Sequence, residues 1–257
     1  MRTIPLLLLC VLQDRAERFF ERITFGKVEP ASDEERRVLG VLLKKEHWIE
    51  AVRVLEEKIG PFQDGLTVRV GFDWPEDDYA HGGSGEGGGW IRFNLGKLVE
   101  YQKKVDQLEK QRREEEAKGR RLVFRVPPAR FERMIWHELT HVLQGGLRAP
   151  DWFKEGMAVW VSEDPNCLLA FAAAGKKVGS VEATLPDRNE TYARGHLFWK
   201  WLDSRGLARK VAGATVIHRK AWRSALEEGT GMEWEKLSAQ EEEWSVAELE
   251  KTRTRAK

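Results

Sequence analysis

At 257 residues, with 41% hydrophobic and 10% aromatic side chains, the chain has ample material for a buried core and reads as a folded protein rather than a disordered or fibrous one. Its 43 basic and 42 acidic residues leave a formal charge of +1, so no excess of either sign points to nucleic acid or to an anionic membrane. The cysteines, Cys10 and Cys167, are too few for a disulfide framework or a CxxC metal site.

The chain opens with Met1-Arg2-Thr3 and the apolar run Ile4 to Leu12, the outline of a secretory signal peptide over residues 1–15. Export to a periplasmic or extracellular location is the expectation. No small-x-small cleavage site follows, so an apolar start to the first helix of a cytoplasmic protein stands as the alternative. The run is too short to span a bilayer, which takes about 20 residues. From Asp33 to Ile59, the apolar Val38, Leu42, Trp48, Val52 and Leu55 recur at mostly three- and four-residue steps among charges, which predicts one helix or a helix pair.

Two strands are predicted next. Leu66 to Phe72 alternates apolar with small or polar residues, and Trp90 to Leu95 is a second β-like run. Between them the glycine cluster Gly82 to Gly89 lacks the Gly-Lys-Ser/Thr ending of a phosphate cradle and reads as a flexible loop. Lys97 to Arg121 is dense in charge, with Leu98, Val105 and Leu108 as its apolar residues, as in a solvated helix. Pro127 and Pro128 break the chain. A helix carrying Phe131, Met134, Ile135, Leu139 and Val142 then runs to Gly145-Gly146. Pro150-Asp151 opens a helix from Trp152 to Val161, Glu190 to Leu202 forms another ended near Gly206, and the chain after Ala208 reads as helical. The eleven tryptophans are expected mainly in the core. With no internal repeat and no clean linker, residues 16–257 read as one α+β domain.

Residues 137–141 read His-Glu-Leu-Thr-His. The four-residue step puts His137 and His141 on one face of their helix, able to bind one ion, and chance would produce His-acid-x-x-His in such a composition only about 2 times in 100. A catalytic zinc commonly takes three protein ligands and keeps one position open. Glu155, in the next predicted helix and one turn-rich loop away, is the candidate third ligand. In that arrangement Zn²⁺ makes water nucleophilic near neutral pH, and Glu138 is the general base.

The run Trp152-Phe153-Lys154-Glu155-Gly156-Met157-Ala158, followed by Glu163, together with the His-Glu-x-x-His helix, resembles the gluzincin metallopeptidases and in layout the bacterial peptidase-MA-like domains. Tyr192-Ala193-Arg194-Gly195-His196-Leu197-Phe198 is similar to the Tyr-x-x-Gly-x-x-Phe helix that follows in such domains. The likeness covers about residues 48–245, with its strong motifs between 137 and 202. It implies a zincin-like fold, with a small sheet packed on the active-site helix and a mainly helical C-terminal part. It also implies Glu155 as third zinc ligand, a peptide or protein substrate, and docking of that substrate along Trp90 to Leu95 as an edge strand. Tyr192 is the preferred donor to the developing oxyanion, with His196 one turn away as the other candidate. Two departures stand out: 13 residues separate His141 from Glu155, fewer than in the aminopeptidases, and Val159 sits where thermolysin-like enzymes carry an Asp behind the first histidine. Two other readings fit the same residues: a noncatalytic zinc-binding domain acting in protein interaction, and a hydrolase of a non-peptide substrate.

Overall fold

The computed structural model of the protein describes residues 15–61, 64–76, 78–119, 130–164, 166–183 and 187–256. The proposed signal segment, but for Arg15, and the Pro127-Pro128 break lie outside these residues. The structure is α+β, a four-stranded sheet with mainly helical surroundings. By its internal contacts the chain divides into two compact units, Met1–Val99 with Phe131–Gly146, and Glu100–Arg130 with Leu147–Lys257.

The first unit holds β1 (Ile23–Phe25), α1 (Asp33–Leu42), α2 (Lys45–Lys58), β2 (Val68–Gly71), β3 (Ala80–Gly85), β4 (Gly88–Phe93), the start of α3 (Leu95–Ala117), and α4 (Phe131–Leu143). Of the one helix or helix pair expected between 33 and 59, the structure has the pair, α1 and α2. Ser32 caps α1 by accepting from the Glu35 backbone N–H at 3.1 Å, and the Glu35 carboxylate turns back to accept from the Ala31 N–H at 2.6 Å. This is close to a capping box, in which two donors with no helical partner are satisfied together. Trp48 of α2 is fully buried, and its indole N–H donates to the Leu42 carbonyl at 2.6 Å.

The strand order is β1-β2-β4-β3, with β1/β2 and β2/β4 parallel and β3/β4 antiparallel. Two expectations are overturned here. Trp90 to Leu95 is not an edge: β4 is an interior strand, paired with β2 through Val70↔Ile91 and with β3 through Gly82↔Ile91. The glycine cluster is not a flexible loop but the edge strand β3 and the hairpin that returns into β4. The physical reason is the approach of α4, which packs on β3, β4, α1 and α2. A Cβ on Gly82 would lie 2.5 Å from the Glu138 carbonyl oxygen, and one on Gly89 2.4 Å from a Val142 methyl. Only strands stripped of side chains at these points can lie so close to the helix.

The second unit holds the rest of α3, then α5 (Asp151–Ser162), α6 (Asn166–Ala173), α7 (Arg188–Ser204), α8 (Ala208–Ala212), a π-helical turn (Gly213–Ile217), α9 (Trp222–Thr230) and α10 (Trp234–Ala256). Helix α7 starts at Asp187, whose carboxylate accepts from the Glu190 N–H at 2.8 Å. Helices α5 and α7 cross with their backbones touching, since a Cβ on Gly195 would lie 2.0 Å from the Trp152 carbonyl oxygen and one on Gly156 2.4 Å from that of Gly195. Around this crossing Trp199 stacks on Trp160 at 5.4 Å and donates its N–H to the Phe153 carbonyl at 2.9 Å. Trp152 meets Phe198, Trp222 and Trp234 in edge and stacked contacts. Behind them Arg194 and Glu241, 1% and 0% exposed, form a bidentate ion pair across α7 and α10, with Ser245 donating to the same carboxylate.

Candidate metal centre

Helix α4 carries both histidines because its apolar residues Ile135, Leu139, Val142 and Leu143 bury one side against the sheet and the neighbouring helices. The four-residue step then brings the Nε2 atoms of His137 and His141 to 3.1 Å from each other, with ring centroids 4.8 Å apart. Two nitrogens bound to one tetrahedral zinc at about 2.0–2.1 Å stand roughly 3.3 Å apart, so the pair already has the bite of a chelate. His137 and His141 belong to the first unit, and Glu155, the carboxylate expected to join them, stands on α5 of the second. Two imidazoles and one carboxylate are a donor set that a divalent metal ion can take.

Glu138, 7% exposed, points its carboxylate toward β3, where a Cβ on Gly82 would lie 3.0 Å from Oε2. The carboxylate is thus confined beside the edge strand. Thr140, between Glu138 and His141 in sequence, turns its hydroxyl back to the Trp136 carbonyl at 2.8 Å and plays no part in the site. Gln144 lies one turn past His141. Its Oε1 stands 2.8 Å from His141 Nδ1, and the side chain is 4% exposed. Gln144 carries no motif of its own, and its three-residue step from His141 on the same helix is the one local signal of this contact.

Of the remaining candidates, Tyr192 and His196 both lie on α7. The Tyr192 hydroxyl accepts from Arg188 Nε at 2.6 Å, and the guanidinium also lies 5.2 Å from the ring centroid. His196 is 7% exposed, and its Nδ1 lies 3.9 Å from Cys167 Sγ. Burial, with Asp164 adding to it, pushes the Cys167 thiol up to about 12, so it stays protonated at neutral pH. Glu163 ends α5 in a left-handed conformation, φ 52°. Val159, at the position of the thermolysin-type Asp, is buried and apolar.

Among the described residues no helix is long and apolar enough to cross a membrane. Comparison of the chain with protein-family models, with curated protein sequences and with solved structures finds no match.

Proposed function

We propose that the protein is a zinc-dependent peptidase of the HExxH type, with a gluzincin-like, zincin-type arrangement in which His137, His141 and Glu155 hold the metal. The observation that carries the reading is the 3.1 Å approach of the two Nε2 atoms on a helix that also bears Glu138. A zinc ion supplies Lewis acidity, which makes water nucleophilic near neutral pH and polarises a scissile carbonyl. Glu138, held beside β3 and one residue from a ligand, takes the proton of the attacking water on its carboxylate and returns it to the leaving amine. Tyr192 and His196 remain the candidates for stabilising the oxyanion. For Tyr192 this role would use the hydroxyl's own O–H as the donor, which accepting from Arg188 does not consume. The peptide substrate rests on the resemblance to the peptidase-MA-like domains.

Zinc content of the purified chain and cleavage of a mixed peptide library test the proposal. One equivalent of zinc per chain and cleavage that drops about 10²–10⁴-fold in Glu138→Gln are expected. Stoichiometric zinc with no cleavage would overturn the enzymatic reading in favour of a noncatalytic metal domain.

A further inference from the structure

We infer that Gln144 is the positioning residue of the metal centre: its amide oxygen holds His141 in the one tautomer that leaves Nε2 free for the ion. The inference rests on the proposed metal site. The Nε2 atoms of His137 and His141 converge at 3.1 Å, so both must present lone pairs, and the proton of each neutral ring then belongs on Nδ1. On His141 that proton meets Gln144 Oε1 at 2.8 Å. Because the side chain is 4% exposed, water has little room to replace the amide if it is removed, and the Nδ1–H would lose a buried acceptor.

The backbone locks this contact in place. The Gln144 N–H still donates to the Thr140 carbonyl at 2.9 Å, which keeps the residue in the last turn of α4. Beyond it, a Cβ on Gly145 would fall 1.4 Å from Ser84 Oγ, so the edge strand fills the space at the helix end and pins the chain just past Gln144. The amide is also uncharged. It orients the imidazole without the extra basicity that a carboxylate partner would confer, which favours Lewis acidity over affinity.

The test is zinc affinity, measured on the full chain by competition with a chromophoric chelator, for wild type, Gln144→Met and Gln144→Glu. Methionine keeps the bulk and removes the acceptor; a 10–100-fold loss of affinity is expected. Glutamate keeps an acceptor and adds charge, so affinity equal to or tighter than wild type is expected. Circular dichroism of the metal-free forms reports folding, and if Gln144→Met does not fold, the Gln144→Glu measurement decides. Affinity of Gln144→Met within twofold of wild type, or weaker binding by Gln144→Glu, would overturn the inference. A wild-type chain that takes up no zinc overturns instead the metal site on which it rests.

Discussion

The two units reach stability by different means. In the first, the helix with the histidines is fixed by backbone approach: α4 lies so close to β3 and β4 that Gly82 and Gly89 have no room for a Cβ. In the second, the close contact of Gly156 with Gly195 is surrounded by large side chains, with Trp199 on Trp160 and Trp152 among Phe198, Trp222 and Trp234, and backed by the buried Arg194–Glu241 pair. The contrast separates two uses of glycine. In β3 it lets an edge strand lie beside the Glu138 carboxylate, and in α7 it lets two helices touch. The Glu-Gly and Tyr-x-x-Gly segments that suggest a peptidase thus carry glycines whose structural task is to let two helices touch.

The contrast is sharpest at the ion pair. Arg194→Met leaves Glu241 buried without its cation and should cost about 3–5 kcal/mol in urea unfolding, while adding Glu241→Leu should recover much of the loss. Full stability in the single variant would show that the pair is dispensable. The glycines come next. Gly195→Ala and Gly82→Ala each force a methyl against backbone, and a loss of about 1–3 kcal/mol is expected for either, as for other overpacked sites. They should differ in function: on the proposed reading Gly82→Ala displaces Glu138 and lowers peptide cleavage in the folded fraction by more than Gly195→Ala, whose clash falls on the backbone beside Glu155 and His196. Equal activity in both would erase the distinction between the two glycines.

Smaller effects are expected at the caps. Ser32→Ala in the first unit and Asp187→Ala in the second each remove an acceptor from a helix N-terminus and should cost about 1 kcal/mol. The smallest effect is confined to alkaline pH. Burial raises the folded Cys167 thiol to about 12 from its ordinary 9.0, so it is neutral in both states below pH 9, and its contribution to stability is fully present there. As pH rises from 9 toward 12 the unfolded form ionises first, and that contribution is lost. Urea titrations of wild type and Cys167→Ala between pH 8 and 10 should diverge only above 9.

Much of the helical framework was legible because its signals are local. The helical segment over 33–59, the stop of α4 before Gly145-Gly146, and a helix over Glu190–Leu202 ended near Gly206 follow from periodicity and breakers within a few residues, although α7 begins two residues earlier, at Arg188. The sheet was read only in part. The strands expected at Leu66–Phe72 and Trp90–Leu95 correspond to β2 and β4, but β1 is three residues long, too short to show a period. β3 reads as a loop because His81-Gly82-Gly83-Ser84-Gly85 has no alternating side chains, and a run of glycine looks alike whether the chain is free or pressed against a helix.

The sequence by itself determined that His137, Glu138 and His141 share a helix and that the two imidazoles face one point, because a four-residue step on a helix is geometry built into the chain. Tertiary structure alone decided which strand forms the edge beside Glu138, that Gln144 is buried against His141, and that Arg194 finds Glu241 47 residues away. These depend on which surfaces meet, and pairing between distant segments leaves no periodic trace in either one.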